Sequence, residues 1–383
     1  MSNKPIADIH CHPTVIPYNR NKSIWYYKPP TECQRRKGRY IWDNIARPYT
    51  QSDFVSLYKG GVKVVFASLY PVEWSFMTIT RKPVLNKGFF KAIDSIICCT
   101  ARWILQILVM YTFIGRILST YPAKRIRQIL KYDREYFDEL CKGYKMLLDD
   151  AEIPKKIANK RKVKIPEGTQ IKIAGEYEEI VQNLKTDKII SVILSAEGAH
   201  VLGCGQKNTL DGLPDSQLNN LNSPVTKKLL NKIRDNISRL KKWGPEGREG
   251  THTPFFIDFN HHFWNQLSGH AMSQADGGHV LFDQLRGMNT PPTELGKRIV
   301  RELLTSKNGR RILLGSKHMS IDTRKWYYGR IGAHNKGKPD AKKIPVIGSH
   351  VAVNGIGKMD ASRNTNDPNE MDKRYNESDS LFN

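Results

Sequence analysis

Two histidines one residue apart, His10 and His12 in Ala-Asp-Ile-His-Cys-His, lie near the start of the chain in a run with strand character. Residues i and i+2 of a strand face the same way, so both imidazoles project to one side of a sheet. Two neutral nitrogen donors converging at a strand end are half of a zinc site. Other residues of metal-ligating type recur further along. They are Glu197 in Ser-Ala-Glu-Gly-Ala-His, His261 and His262 in Asp-Phe-Asn-His-His-Phe-Trp-Asn, His318 in Gly-Ser-Lys-His-Met-Ser, and His350 in Ile-Gly-Ser-His-Val. Four imidazoles and one carboxylate suffice for two zinc ions with the carboxylate bridging. A lone histidine at a strand end is usually a hydrogen-bonded structural residue, and it is the set that points to chemistry. His200, His252, His270, His279 and His334 read as structural, although His270 could lie near the pocket. Asp8 is expected to bond backbone or to support a ligand. Consecutive strand residues face opposite ways, so only one of His261 and His262 should face the site.

These residues need elements to carry them. Six β-rich runs stand out: Ala7–His12, Val62–Tyr70, Ile190–Ala199, Thr253–His261, Arg311–His318 and Pro345–Val353. Several are nearly continuous apolar stretches, as expected of strands buried on both faces of a parallel sheet. Helical stretches alternate with them, at Lys124–Asp149, Ser223–Lys242 and Thr293–Ser306, the last with Thr293 as N-cap. This alternation predicts a parallel α/β fold. Five of the six runs end in His or Glu, as in barrels that carry their chemistry at the C-terminal strand ends. The expected layout is a TIM-type barrel over 1–353. A helical insertion covers 71–187, and a polar, disordered tail covers 354–383.

The chain has 383 residues and a net charge of +24. Its cations are scattered, and no stripe of base-stacking aromatics accompanies them, so no nucleic-acid partner is expected. The apolar run Trp103–Gly115 is too short to cross a bilayer, and Arg102 and Arg116 bracket it. It is expected to form a buried helix rather than a transmembrane segment. Six cysteines form no CxxC pair, which suits a reducing compartment. The N-terminus leaves no room for a secretory signal, so a cytoplasmic location is expected. A homodimer is left open.

The motifs Asp8-Ile-His-Cys-His, Glu197-Gly-Ala-His, His261-His262-Phe-Trp-Asn, Lys317-His318-Met-Ser and Ser349-His350, in that order, resemble the membrane (renal) dipeptidase family. These are binuclear zinc peptidases of the amidohydrolase superfamily. The resemblance implies that His10 and His12 hold one zinc, that Glu197 bridges, and that His318 and His350 hold the other. It implies hydrolysis of dipeptides by a zinc-activated hydroxide, with Glu197 and His261 in the catalytic machinery. His261 would polarise the substrate carbonyl, and Arg363, in Ser-Arg-Asn, would receive the substrate carboxylate. Many family members carry aspartate where this chain has His12. A last-strand motif resembling Gly-Ser-Asp-Phe-Asp, whose aspartate handles the proton of the metal-bound water, has no counterpart. The resemblance therefore implies an incomplete barrel of about six of eight strands, shortened at its C-terminus, with activity impaired. A non-catalytic family member is the alternative expectation. A basic nucleic-acid-binding protein, resting on charge alone, comes third.

Overall fold

A computed structural model describes residues 4–26, 52–78, 121, 123–160, 163–271 and 284–350. Six parallel strands form one curled sheet, a half-barrel: β1 (Ile6–Cys11), β2 (Val62–Leu69), β3 (Gln170–Ile173), β4 (Ile189–Glu197), β5 (Phe256–Asp258) and β6 (Leu313–Gly315). The order β1-β2-β4-β5-β6 is that of a barrel wall that, among the described residues, curls without closing.

The apolar runs account for the centre of this wall. In β2 and β4, Val65, Ala67, Ile190, Val192 and Ala196 are fully buried. Six consecutive pairs join the two strands, from Val64↔Ser191 to Leu69↔Ala196. The next edge of β4 is shared. β3 pairs with its first half, Gln170↔Ile189 to Ile173↔Val192, and β5 with its last residues, Ser195↔Phe256 to Glu197↔Asp258. β5 then pairs with β6, Asp258 lying opposite Gly315. Glu197, Asp258 and Gly315 therefore stand level at the C-terminal rim.

Four expectations are corrected. First, β3 lies inside the segment 71–187 that the sequence suggested as an insertion, so that segment contributes a strand to the wall. Its four residues Gln-Ile-Lys-Ile alternate too briefly to register as a strand by pattern. Second, the helix expected over Lys124–Asp149 is two, Ala123–Ile129 and Tyr136–Asp149. The chain breaks between them so that Arg134 turns inward, donating to the Val72 carbonyl and to Glu139. Third, the runs ending at His261 and His318 form strands of only three residues each, and both histidines sit in the loops beyond. Fourth, the run Pro345–Val353 makes a single bridge, Ile347 to Gly315, among the described residues. Pro345 has no N–H to donate to a ladder. Residues 351–353 and the tail from 354 lie outside the described residues.

The Pro224–Leu240 and Glu294–Leu304 helices cover the wall with apolar faces, including Ile233, Ile237, Leu295 and Ile299. Thr293 caps the second helix by accepting from the Gly296 amide at 3.0 Å. No helix among the described residues is long and apolar enough to cross a membrane; Trp103–Gly115 lies outside them.

Candidate metal centre

Glu197, the last residue of β4, reaches the rim with 4% of its surface exposed, and five imidazoles surround its carboxylate. Oε2 lies 3.0 Å from His12 Nε2 and 3.5 Å from His261 Nε2. Oε1 lies 3.3 Å from His350 Nε2 and 3.6 Å from both His10 Nε2 and His318 Nε2. Gly198 follows with φ +85°. A Cβ there would fall 2.3 Å from the His200 ring, so the turn that aims Glu197 at the rim needs glycine.

The ring nitrogens facing the carboxylate are arranged as lone-pair donors. His12 Nδ1 donates to the Ser68 carbonyl at 3.0 Å, which leaves Nε2 for a cation. His10 and His12 bring their Nε2 atoms within 3.2 Å of each other. The His10 amide donates to Asp8 Oδ1, which fixes the entry of the pair and is the supporting role expected of Asp8. His318, held at φ +61° in the left-handed region, has a buried Nε2 with no hydrogen-bond partner among the described residues. Such strain and an orphaned nitrogen are found where a ligand completes the structure. His10, His12 and Glu197 form one group of metal-ligand spacing, and Glu197, His318 and His350 form another. These buried His/Glu groups could bind metal ions.

Electrostatics follow from burial. Burial pushes His10 down to about 3 and His318 to about 4, so both are neutral bases, the form that binds a metal. Burial would lower His12 as well, but the Glu197 charge outweighs it and raises that imidazole. For Glu197, burial acts upward and is overcome by His261 and His12, which hold it well below the usual carboxylate range.

His261 lies behind this group. Its Nδ1 is 2.5 Å from Oε2 of Glu73, and Oε1 of Glu73 accepts from the Phe263 amide at 3.2 Å. Burial pushes Glu73 up to about 7 and His261 well down, so the pair shares a proton across a short contact. His261 and His262 both line the cleft, with ring centroids 3.8 Å apart. The expectation that only one could do so fails because they follow β5 in a loop rather than lying within a strand.

A cleft of about 510 Å³ opens over these groups, lined also by Val15, Val72, Phe76, Tyr70, Tyr121 and Lys317. That volume suits a small molecule. His200 Nε2 donates to the Pro71 carbonyl, and His270 is bonded to the carbonyls of Ala271 and Arg286; both are structural. His252 pairs with Tyr144, and His334 with Lys338. Arg363 and His279 lie outside the described residues.

Sequence reasoning missed Glu73 and Asp258. Glu73 stands just past β2, the one run to which no ligand was assigned, and the acid in Tyr70-Pro-Val-Glu was the available signal. Asp258 was passed over because the strand was drawn through to His261. Compared with known proteins, the chain matches no family model, no curated protein and no solved structure, so the chemistry of the site rests on its own geometry.

Proposed function

We propose that the chain is a metal-dependent hydrolase acting on dipeptides, with His10, His12, Glu197, His318 and His350 holding two divalent ions, zinc by donor type. One observation carries this reading: a buried carboxylate presents each of its oxygens to imidazole nitrogens in two groups of ligand spacing. The ions, when bound, supply Lewis acidity toward a carbonyl and a water acidic enough to ionise near neutral pH.

The remaining roles belong to the chain. With the proton on Glu73, which donates it to Nδ1, the neutral His261 imidazole carries its own proton on Nε2, facing the cleft. That N–H is placed to hold a substrate carbonyl and to stabilise the charge that develops on it. Val15, Val72, Phe76 and Tyr121 offer an apolar wall to a side chain and keep bulk water away from the reacting groups. Lys317 brings a cation to the same wall, suited to the carboxylate of a short peptide. The resemblance to the membrane dipeptidase family supports this substrate class, and Arg363 is proposed for the same carboxylate on that resemblance alone. A cytoplasmic location agrees with the unpaired Cys11, Cys141 and Cys204.

The test is zinc reconstitution followed by a dipeptide panel. Two ions per chain, hydrolysis abolished by chelator and a roughly 10²–10³-fold loss in His261→Ala are expected. Folded, zinc-loaded protein that leaves every dipeptide intact would overturn the proposal.

A further inference from the structure

Asp258 is the largest chemical feature of the rim that the proposed roles leave unused. It ends β5 in register with Glu197, is completely buried, and is a second carboxylate beside a site already holding one. A buried carboxylate is retained only with compensation. Space is kept for it by the neighbouring strand: a Cβ at Gly315 would fall 1.8 Å from Asp258 Oδ1. Among the described residues its hydrogen bonds come from one hydroxyl, Ser349 Oγ, which lies 3.2 Å from both carboxylate oxygens. The same Oγ is 2.9 Å from His350 Nδ1.

Burial and the Glu197 charge raise Asp258 well above the usual carboxylate range, and cations bound beside it would favour its ionised form. With Asp258 ionised, these contacts have one consistent set of proton positions. A carboxylate only accepts, so the Ser349 hydroxyl donates to Asp258. Its oxygen is then left to accept, and Nδ1–H of His350 donates to it. Nδ1 thus carries the proton, and Nε2, 3.3 Å from Glu197 Oε1, keeps its lone pair toward the site. We propose that Asp258, Ser349 and His350 form a carboxylate–hydroxyl–imidazole relay, in which Asp258 is a positioning residue that fixes the tautomer and aim of His350 as a metal ligand. Partners of this kind raise ligand basicity, and losing one weakens metal binding by ~10–100-fold. With two divalent ions bound, an ionised Asp258 would add a second negative charge beside the four positive ones. This inference rests on the metal reading of the cleft.

The experiment titrates metal-free, full-length protein with Zn²⁺ against a chromophoric chelator, and with Co²⁺ followed by its visible absorption. It compares wild type with Asp258→Asn, Ser349→Ala, their double variant and Ser349→Thr. Each single variant is expected to bind one ion ~10–100-fold more weakly and to alter the Co²⁺ spectrum, because His350 loses its fixed tautomer. The double variant should bind no more weakly than the worse single, and Ser349→Thr, which keeps the hydroxyl, should restore affinity. If Asp258→Asn fails to fold, the Ser349→Ala and Ser349→Thr pair decides alone. Wild-type affinity in Ser349→Ala overturns the relay, as does tight binding in Asp258→Asn. Wild type that binds no metal overturns the metal reading itself and the relay with it.

Discussion

Two buried carboxylates in this molecule meet opposite solutions. Glu139, in the Tyr136–Asp149 helix, accepts from Arg134 Nε at 2.8 Å, from a second Arg134 nitrogen at 2.5 Å and from Arg125 at 2.6 Å. Burial would raise its pKa, but the two guanidiniums outweigh that and lower it. These cations cannot be deprotonated, so the charge is compensated permanently. Glu197 is as deeply buried, and among the described residues the groups that pair with its oxygens are imidazoles, of which His10, His261 and His318 are neutral. A fixed ion pair belongs to the architecture, whereas a carboxylate among neutral donors is built for a cation from outside.

The largest effect should come from removing the second kind. Glu197→Gln is expected to reduce bound zinc from two ions to none while the metal-free melting temperature stays within a few degrees of wild type. Elemental analysis after gel filtration reads the first, and a thermal melt with chelator reads the second. Retention of both ions would erase the distinction. Glu139→Ala should behave in reverse. Leaving two buried guanidiniums without their carboxylate costs about 3–5 kcal/mol in denaturant unfolding, with zinc stoichiometry unchanged in the folded fraction. The smallest effect is acid dependence. Because the folded pKa of Glu139 is depressed, its contribution is present above the unfolded value of about 4.3 and is lost as pH falls through the folded one. The stability gap between wild type and Glu139→Gln should therefore be constant near neutrality and close below about pH 4. A gap that widens with acid would contradict the assignment.

Much of the rim is legible in the sequence. His10, His12, Glu197, His318 and His350 could be picked out because metal-ligating types follow apolar runs, and the structure brings the four histidines to the Glu197 carboxylate. The wall strands β2 and β4 were legible for the same reason, long runs buried on both faces. What escaped depends on neighbours distant in sequence. β3 is four residues long and becomes a strand by pairing with β4. Glu73 matters because a loop following β5 delivers His261 against it. Asp258 matters because Gly315, on another strand, leaves room for its carboxylate. Arg134 breaks a helix that its local sequence would continue, since Glu139 and the Val72 carbonyl take its guanidinium inward.

The origin of the ligands along the chain has a kinetic consequence. His10 and His350 come from opposite ends of the described chain, yet their ring centroids are 4.0 Å apart. Contacts of such long sequence separation bear the greatest loop-closure entropy and tend to form late. The nascent chain therefore cannot use the ions as a template for its early collapse. They fasten a wall that is already built, and they should slow its opening more than they speed its formation.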